Sequence, residues 1–415
     1  MKNAGTPKDG GIGRRQLVGA GAAAASVTLL RPETVRGFAA NEKVRLAIWG
    51  CGDRGQWLGK LFAGHGGFHI AACQDYFESR TVDMNNTMAI VKHPEIPPEM
   101  RFTGLSGYKR LLDKAKGAID AVALVNPPYF RPAQAAAAVE AGLHVWCAKP
   151  VGVDVPGCLS IAASGKRASE KKRAFLVDFQ YRSNPADQEA VKLVQEGAIG
   201  TVVCGEANFI TGDPFGKYAE AIRKDPKDPE ARLRGWGMDI ALSGDILVEQ
   251  NVHQIDVATW VLDAAPVAAI GRGRKALRAG DCYDVYHVIY VFPNDVTVSL
   301  DAKQFAGGGG FFCRLYGSEG TYETHYFSHV AIEGKRKFRK NGNIYESATK
   351  RNIELFHEQV TTGGDPANAS AAYGARSTMA AVLGRDACYA RKELTWDEMI
   401  RKGEALDGRL QGLKD

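Results

Sequence analysis

Gly50, Gly52 and Gly55 stand in a G-x-G-x-x-G spacing, with Cys51, Asp53 and Arg54 between them. The apolar run 44–50 comes just before and reads as a buried strand; 56–63 follows with helical character. Glycines in this position allow a tight turn and a close approach of backbone to a pyrophosphate. The helix N-terminus then offers its free N–H groups to the phosphates. Asp75 ends a second apolar run, 68–75, 20 residues past Gly55. A carboxylate there accepts hydrogen bonds from ribose hydroxyls and repels a 2′-phosphate, which favours NAD. Arg80 lies close enough in sequence to keep NADP as the alternative.

Two further segments carry chemistry. Ala148-Lys149-Pro150 follows the apolar run 143–147. A lysine at a strand C-terminus can polarise a hydroxyl or carbonyl in the ligand crevice. Segment 243–262 reads as one helix with Ser243 as N-cap. At 100° per residue, Val248, Val252, Ile255, Thr259 and Leu262 form a buried stripe. Glu249, His253, Asp256 and Trp260 form a second stripe on an adjacent face. Glu249 and His253 at i, i+4 can touch, so the carboxylate can orient an imidazole that serves as base near neutral pH. His253 and Asp256 have no third ligand in view, so no metal is expected.

These residues need a scaffold, and the chain alternates strands and helices to supply one. Apolar runs at 44–50, 68–75, 119–125, 143–147 and 174–179 are separated by helical stretches, the pattern of a parallel sheet covered on both faces. From about 201 the strands lengthen and alternate with period two, the pattern of an antiparallel sheet with one face free. The expected architecture is α/β: a Rossmann domain over 41–180, then an α+β domain with a large, mostly antiparallel open-faced sheet over 181–415. Pro293, Asn294 and Asp295 read as a tight hairpin turn, and 306–310 joins the next pair of strands. The charged stretch 212–235 reads as an exposed loop with helical pieces.

Residues 1–40 have a different character. Arg14 and Arg15 precede an apolar, Ala/Gly-rich run at 17–30, and small residues at 37–39 suit cleavage. That order and length match a twin-arginine export signal, and a periplasmic or cell-surface location follows, or a cytoplasmic one where the signal is inefficient. The 415 residues carry 53 basic and 47 acidic groups, a net +6. Residues 1–39 hold +4 of it, so the remainder is nearly neutral and gives no cue for nucleic acid. Stable membrane insertion is not expected, because no apolar run reaches about 18 residues. Eight cysteines without Cys-x-x-Cys or zinc spacing read as small core residues.

Taken together, the glycine turn, IDAVALVNPP at 119–128, AGLHVWCAKP at 141–150, EQNVHQIDVATWVL at 249–262, YGSEGT at 316–321 and ELTWDEM at 393–399 resemble the Gfo/Idh/MocA oxidoreductases. The resemblance runs from about 43 to 412. It implies nicotinamide between the two domains and hydride transfer to or from a sugar or polyol carbon. It implies that Lys149 and His253 contact the reacting alcohol, with Glu249 completing the set. Gly50, Gly52, Asp53, Arg54, Gly55, Asp75, Asn126, Pro127 and Lys149 are the expected cofactor residues. Tyr129, Arg131, Gln180, Arg182 and Asp256 are the expected substrate residues. Two departures stand beside the expected nicotinamide site: Ala148 replaces the family's Glu before the lysine, and Asn126-Pro127-Pro128 replaces its Thr-Pro.

An exported dehydrogenase that released NADH would stop after one turnover. A tightly held cofactor is therefore expected, with segment 31–43 available to wrap it. The leading expectation is a sugar or polyol oxidoreductase. The alternatives are a redox-neutral, NAD-dependent glycosidase or lyase, and a retired NAD- or sugar-binding protein. A sheet with one face free of helices points to a homo-oligomer, dimer or tetramer.

Overall fold

The computed structural model describes residues 42–305, 309–363 and 368–415. The export-signal segment, 1–40, and most of the proposed cofactor-wrapping arm lie outside the described residues. No helix among the described residues is long and apolar enough to cross a membrane.

Six short strands build the first sheet: β1 (Val44–Trp49), β2 (Phe68–Gln74), β3 (Arg101–Phe102), β4 (Ala121–Leu124), β5 (His144–Ala148) and β6 (Phe175–Asp178). Their order is β3-β2-β1-β4-β5-β6, all parallel. The order reverses between β1 and β4, and ligands bind at such a switch point, outside the strand C-termini. Every residue of β4 and β5 is buried, as expected of strands covered on both sides. Alternation divides β1 between two cores. Leu46 and Ile48 face Phe62, Phe68, Trp146 and Phe356; Ala47 and Trp49 face the opposite layer with Leu124, Val145 and Cys147.

Nine strands build the second sheet: β7 (Val202–Thr211), β8 (Ala268–Arg274), β9 (Val285–Val291), β10 (Thr297–Gln304), β11 (Phe311–Gly317), β12 (Gly320–His325), β13 (His329–Glu333), β14 (Phe338–Asn341) and β15 (Leu394–Thr395). The order is β14-β13-β12-β11-β7-β10-β9-β8-β15. Pro293–Asp295 turns β9 into β10, as the sequence predicts. The β10–β11 link does not close a hairpin. β7 lies between those two strands, antiparallel to β11 and therefore parallel to β10. One face is open: on β9, Tyr286, Val288 and Tyr290 are buried while His287 and Ile289 are exposed.

The chain then returns to the first sheet. Helix Ile344–Thr362 lays Ile353, Phe356 and Val360 on the β1 and β2 side. Asn352 on it accepts a hydrogen bond from the Trp146 indole at 2.6 Å. Helix Ala369–Ala390, lined with small residues, packs against helices Val155–Glu170 and Val252–Val261, against β6 of the first sheet and against β8 and β9 of the second. All eight cysteines are free; seven are buried and Cys204 is partly exposed.

Candidate active site

The glycine turn leaves β1 at Trp49 and enters helix Asp53–His65. Gly50 has φ +99°, and a Cβ there would run into the Asn126 backbone. A Cβ on Gly55 would run into the Gly50 carbonyl. Those two glycines are demanded by the protein's own packing. Gly52 is different: its φ is −68°, and an added Cβ would meet nothing within 4 Å. Nothing in the fold requires glycine there, which fits a backbone kept bare for a ligand. Asp75 steadies the turn, since Oδ2 accepts from Cys51 N at 2.7 Å and Oδ1 from Phe77 N at 3.0 Å. Burial pushes its pKa up. Each carboxylate oxygen retains a lone pair for a ribose hydroxyl.

A cavity of about 590 Å³ runs from this turn across the ends of β4, β5 and β6. That volume suits a dinucleotide with a small substrate. Gly50, Gly52, Asp53, Arg54, Gly55, Asp75, Asn126, Pro127, Arg131, Lys149, Gln180, Glu249 and His253 all line it. At its mouth Asp53 pairs with Arg80 (3.2 Å) and Lys217 (2.6 Å). Short helices Ala219–Lys224 and Pro229–Arg234 confirm the helical pieces expected within 212–235. The segment is not merely an exposed loop, however. Phe215, Lys217, Tyr218, Leu233 and Arg234 wall the cavity.

The helix expected over 243–262 is broken twice. Ser243 ends a short helix, Ile240–Ser243, rather than capping a long one. Gly244 and Asp245 both take positive φ, 79° and 77°. Asp245 is fully buried and holds the break, accepting from Ile246 N, Tyr283 N and the Tyr389 hydroxyl. A second break at Gln250 and Asn251 separates Ile246–Glu249 from Val252–Val261. Nine of the ten residues in that last helix are buried, so the second stripe is no polar face. It packs against helices Pro185–Gln195 and Ala369–Ala390 and against β7 and β11.

The breaks redirect Glu249. The i, i+4 spacing predicts a Glu249–His253 contact, but the described residues show no hydrogen bond or ion pair between them. Glu249 instead receives Lys149 across the cleft: Nζ donates to the Glu249 carbonyl and lies 3.3 Å from Oε1. Burial lowers the Lys149 pKa and Glu249 opposes that shift. His253 is buried too. Burial drives its pKa well below 6.5, helped by the positive charges of Lys149 and Arg54. Its imidazole is therefore neutral at neutral pH, ready to take a proton. Tyr326 faces it at 5.4 Å between ring centroids.

Asp178 is a functional candidate that the sequence did not flag. It ends β6 directly beside Ala148 in the parallel register. A carboxylate thus stands one strand over from the position where the resembled family carries its Glu. Asp178 is 2% exposed and pairs with Arg54 at 3.3 Å, and burial raises its pKa. Asp178 Oδ1, Asn126 Oδ1 and His253 Nδ1 are buried at the cavity wall without a partner among the described residues. Leaving three buried polar atoms unpaired costs about 1–3 kcal/mol each. A bound nicotinamide cofactor and a hydroxylated substrate would satisfy them, so the residues present fit that group.

Four predicted substrate residues sit otherwise. Arg182 and Asp256 do not line the cavity. Asp256 accepts from Arg182 Nε at 2.9 Å and from Ser377 Oγ at 2.6 Å, while Arg182 lies over the Tyr373 ring. The pair is a buried lock between helices. Tyr129 lines a separate cavity and packs on Gly408. Arg131 reaches the site's wall, yet its guanidinium donates to the backbone carbonyls of Asn126, Ala148 and Pro150. It ties the ends of β4 and β5 together and so positions Lys149. Gln180 lines the cavity while donating to Thr349 Oγ1 at 3.0 Å.

A parallel sheet with a glycine turn, an open-faced antiparallel sheet and a cleft carrying a lysine and a neutral histidine define a two-sheet, Rossmann-type architecture. Residues 188–323 match the family model described as the GFO/IDH/MocA C-terminal domain. The matched stretch lies in the part of the chain that builds the second sheet, and the model describes the family that the sequence resembles. Inositol 2-dehydrogenase 3 of Saccharopolyspora erythraea is 26% identical over 208 residues, 49% of this chain and 54% of that protein. The chain spans about half the length of the curated relatives it matches. Myo-inositol 2-dehydrogenase from Lactobacillus plantarum superposes with a TM-score of 0.66 at 20% identity, over 85% of this chain and 99% of that one. Aldose-aldose oxidoreductase from Caulobacter crescentus gives 0.65 at 19%, over 85% and 100%.

Proposed function

We propose that this protein is an NAD-dependent oxidoreductase acting on a sugar or polyol. The observation that carries the proposal is the convergence of Lys149, Glu249 and His253 on the cavity that begins at Gly52. A nicotinamide cofactor bound in this cavity would supply the hydride acceptor or donor. His253, neutral by burial, takes the proton of the substrate hydroxyl. The Lys149 ammonium, held by Glu249, stabilises the negative charge that develops on that oxygen. Asp178 anchors Arg54 and offers its free oxygen to a substrate or cofactor hydroxyl. Cofactor selection rests on Asp75 at the end of β2, with Arg80 near enough to test NADP as well.

The test is a panel of polyols and sugars, read by the near-ultraviolet band of reduced nicotinamide. Net reduction with any member, lost in Lys149→Ala, supports the proposal. Turnover of glycosides without net reduction would reject it in favour of redox-neutral chemistry. Tight cofactor retention belongs to the same proposal. It is checked by denaturing purified protein and assaying released NAD(H), and a negligible amount counts against it. The paired arginines Arg14 and Arg15 support export, and Arg14→Lys with Arg15→Lys should trap the protein in the cytoplasm.

A further inference from the structure

Glu323 and His325 on β12 and His329 on β13 meet on the open face of the second sheet. His325 Nε2 lies 2.7 Å and His329 Nε2 3.0 Å from the same carboxylate oxygen, Glu323 Oε1. The three ligand atoms all fall within 4.8 Å of one another. No Cys/His spacing motif marks these residues, which is why the sequence gives no expectation of a metal. They are brought together because β12 and β13 pair antiparallel around a short turn.

We propose that Glu323, His325 and His329 form a binding site for a divalent transition ion of the zinc class. Two imidazole nitrogens and one carboxylate oxygen are the donor set such ions take, with solvent completing the coordination. Bonds of about 2.0–2.1 Å to nitrogen and oxygen in a tetrahedral site place ligand atoms about 3.3 Å apart. The observed 2.7 and 3.0 Å edges need only a small opening to admit the ion.

The surroundings are those of supported ligands. Ser328 Oγ lies 2.6 Å from His329 Nδ1. With the ring proton directed there, the Nε2 lone pair is free for metal. Arg314 holds the other Glu323 oxygen and also pairs with Glu206 at 2.7 Å, so two carboxylates face one guanidinium. Arg339 of β14 adds a second positive charge beside His329, so with neutral imidazoles the two carboxylates are balanced and the site rests on its donor geometry. The rings of His325 and His329 already stack, 4.6 Å apart. The turn between them carries Tyr326, which faces His253 in the main cavity. An ion bridging the two strands pins that turn from the side opposite the cavity.

The experiment uses untagged full chain, stripped with chelator, equilibrated with Zn²⁺, dialysed, and assayed for bound metal. One equivalent is expected in the wild type. It should be lost in His325→Ala and in His329→Ala and retained in His69→Ala, a control on the other sheet. Ser328→Ala should weaken binding by about tenfold. In case a variant misfolds, the wild type is also titrated with Co²⁺ and read by its visible d–d bands. Bands of a nitrogen/oxygen tetrahedral site support the proposal. Substoichiometric zinc in the wild type, zinc unchanged in both His variants, or no Co²⁺ bands would overturn it.

Discussion

Lys149 and His253 sit at different depths of one charge arrangement, and their roles separate by pH. His253→Asn removes the proton acceptor and should lower kcat by about 10²–10⁴. Lys149→Ala should cost about 10²–10³ through lost charge stabilisation. The wild-type profile for alcohol oxidation follows from the pKa directions. A neutral imidazole is needed, and burial lowers the His253 pKa, so activity should persist on the acid side of 6.5. A charged Lys149 is needed, and its pKa is lowered from 10.5, so the alkaline fall should begin earlier than 10.5. Kinetics that collapse at 6.5 would show a solvated histidine instead. The glycine turn offers a cleaner separation of fold from function. Gly52→Ala adds a Cβ that meets no atom within 4 Å at an ordinary φ, so it should leave the melting temperature nearly unchanged while weakening NAD binding at least about tenfold. Gly50→Val, forced to a positive φ against Asn126, should lose the fold.

Elements decide which residues meet, and here the sequence was legible only in part. The glycine turn, Asp75 and Lys149 could be read because each belongs to a strand end within a local pattern. Glu249 was placed on the right wall but given the wrong partner. Its true contact is Lys149, 100 residues away, and helical spacing cannot show a contact made by the breaks at Gly244 and Gln250. Asp256 and Arg182 looked like site residues because both are polar near the cleft. Each is consumed by the other in helix packing. Asp178 reads in the sequence as the polar end of an apolar strand, and only the β5–β6 register sets it beside Ala148. The same strand β5 carries a stability prediction. His144 opens it, 7% exposed, with Nδ1 accepting from Ala174 N at 2.9 Å. Burial lowers its pKa from 6.5 to about 4. The folded state thus binds fewer protons than the unfolded state between those values. Its contribution is full above 6.5 and is lost as pH falls toward 4. The loss amounts to about 3 kcal/mol at 1.4 kcal/mol per pH unit. Urea midpoints measured at both ends should converge for wild type and His144→Asn in acid, with wild type the more stable at neutral pH.

At the scale of the whole molecule, the two sheets have opposite needs. The first is buried on both faces and closed by helices that return from the end of the chain. The second covers one face with helices and leaves the other open across nine strands. On that face Ile270 of β8 and Ile289 of β9 stand opposite one another in register, 43% and 46% exposed. Tyr316 on β11 is exposed beside Arg314 and Glu206. Apolar side chains set among paired charges are a surface suited to a second copy of itself. Self-association through this face is therefore expected, and light scattering coupled to size exclusion checks it. Wild type should elute as a dimer or tetramer. Ile289→Lys, which places a charge on the open face without touching the core, should shift the mass toward one chain. It should leave NAD binding intact, because the glycine turn and Asp75 lie on the other sheet. A monomeric wild type, or an assembly indifferent to Ile289→Lys, would move the association to another surface.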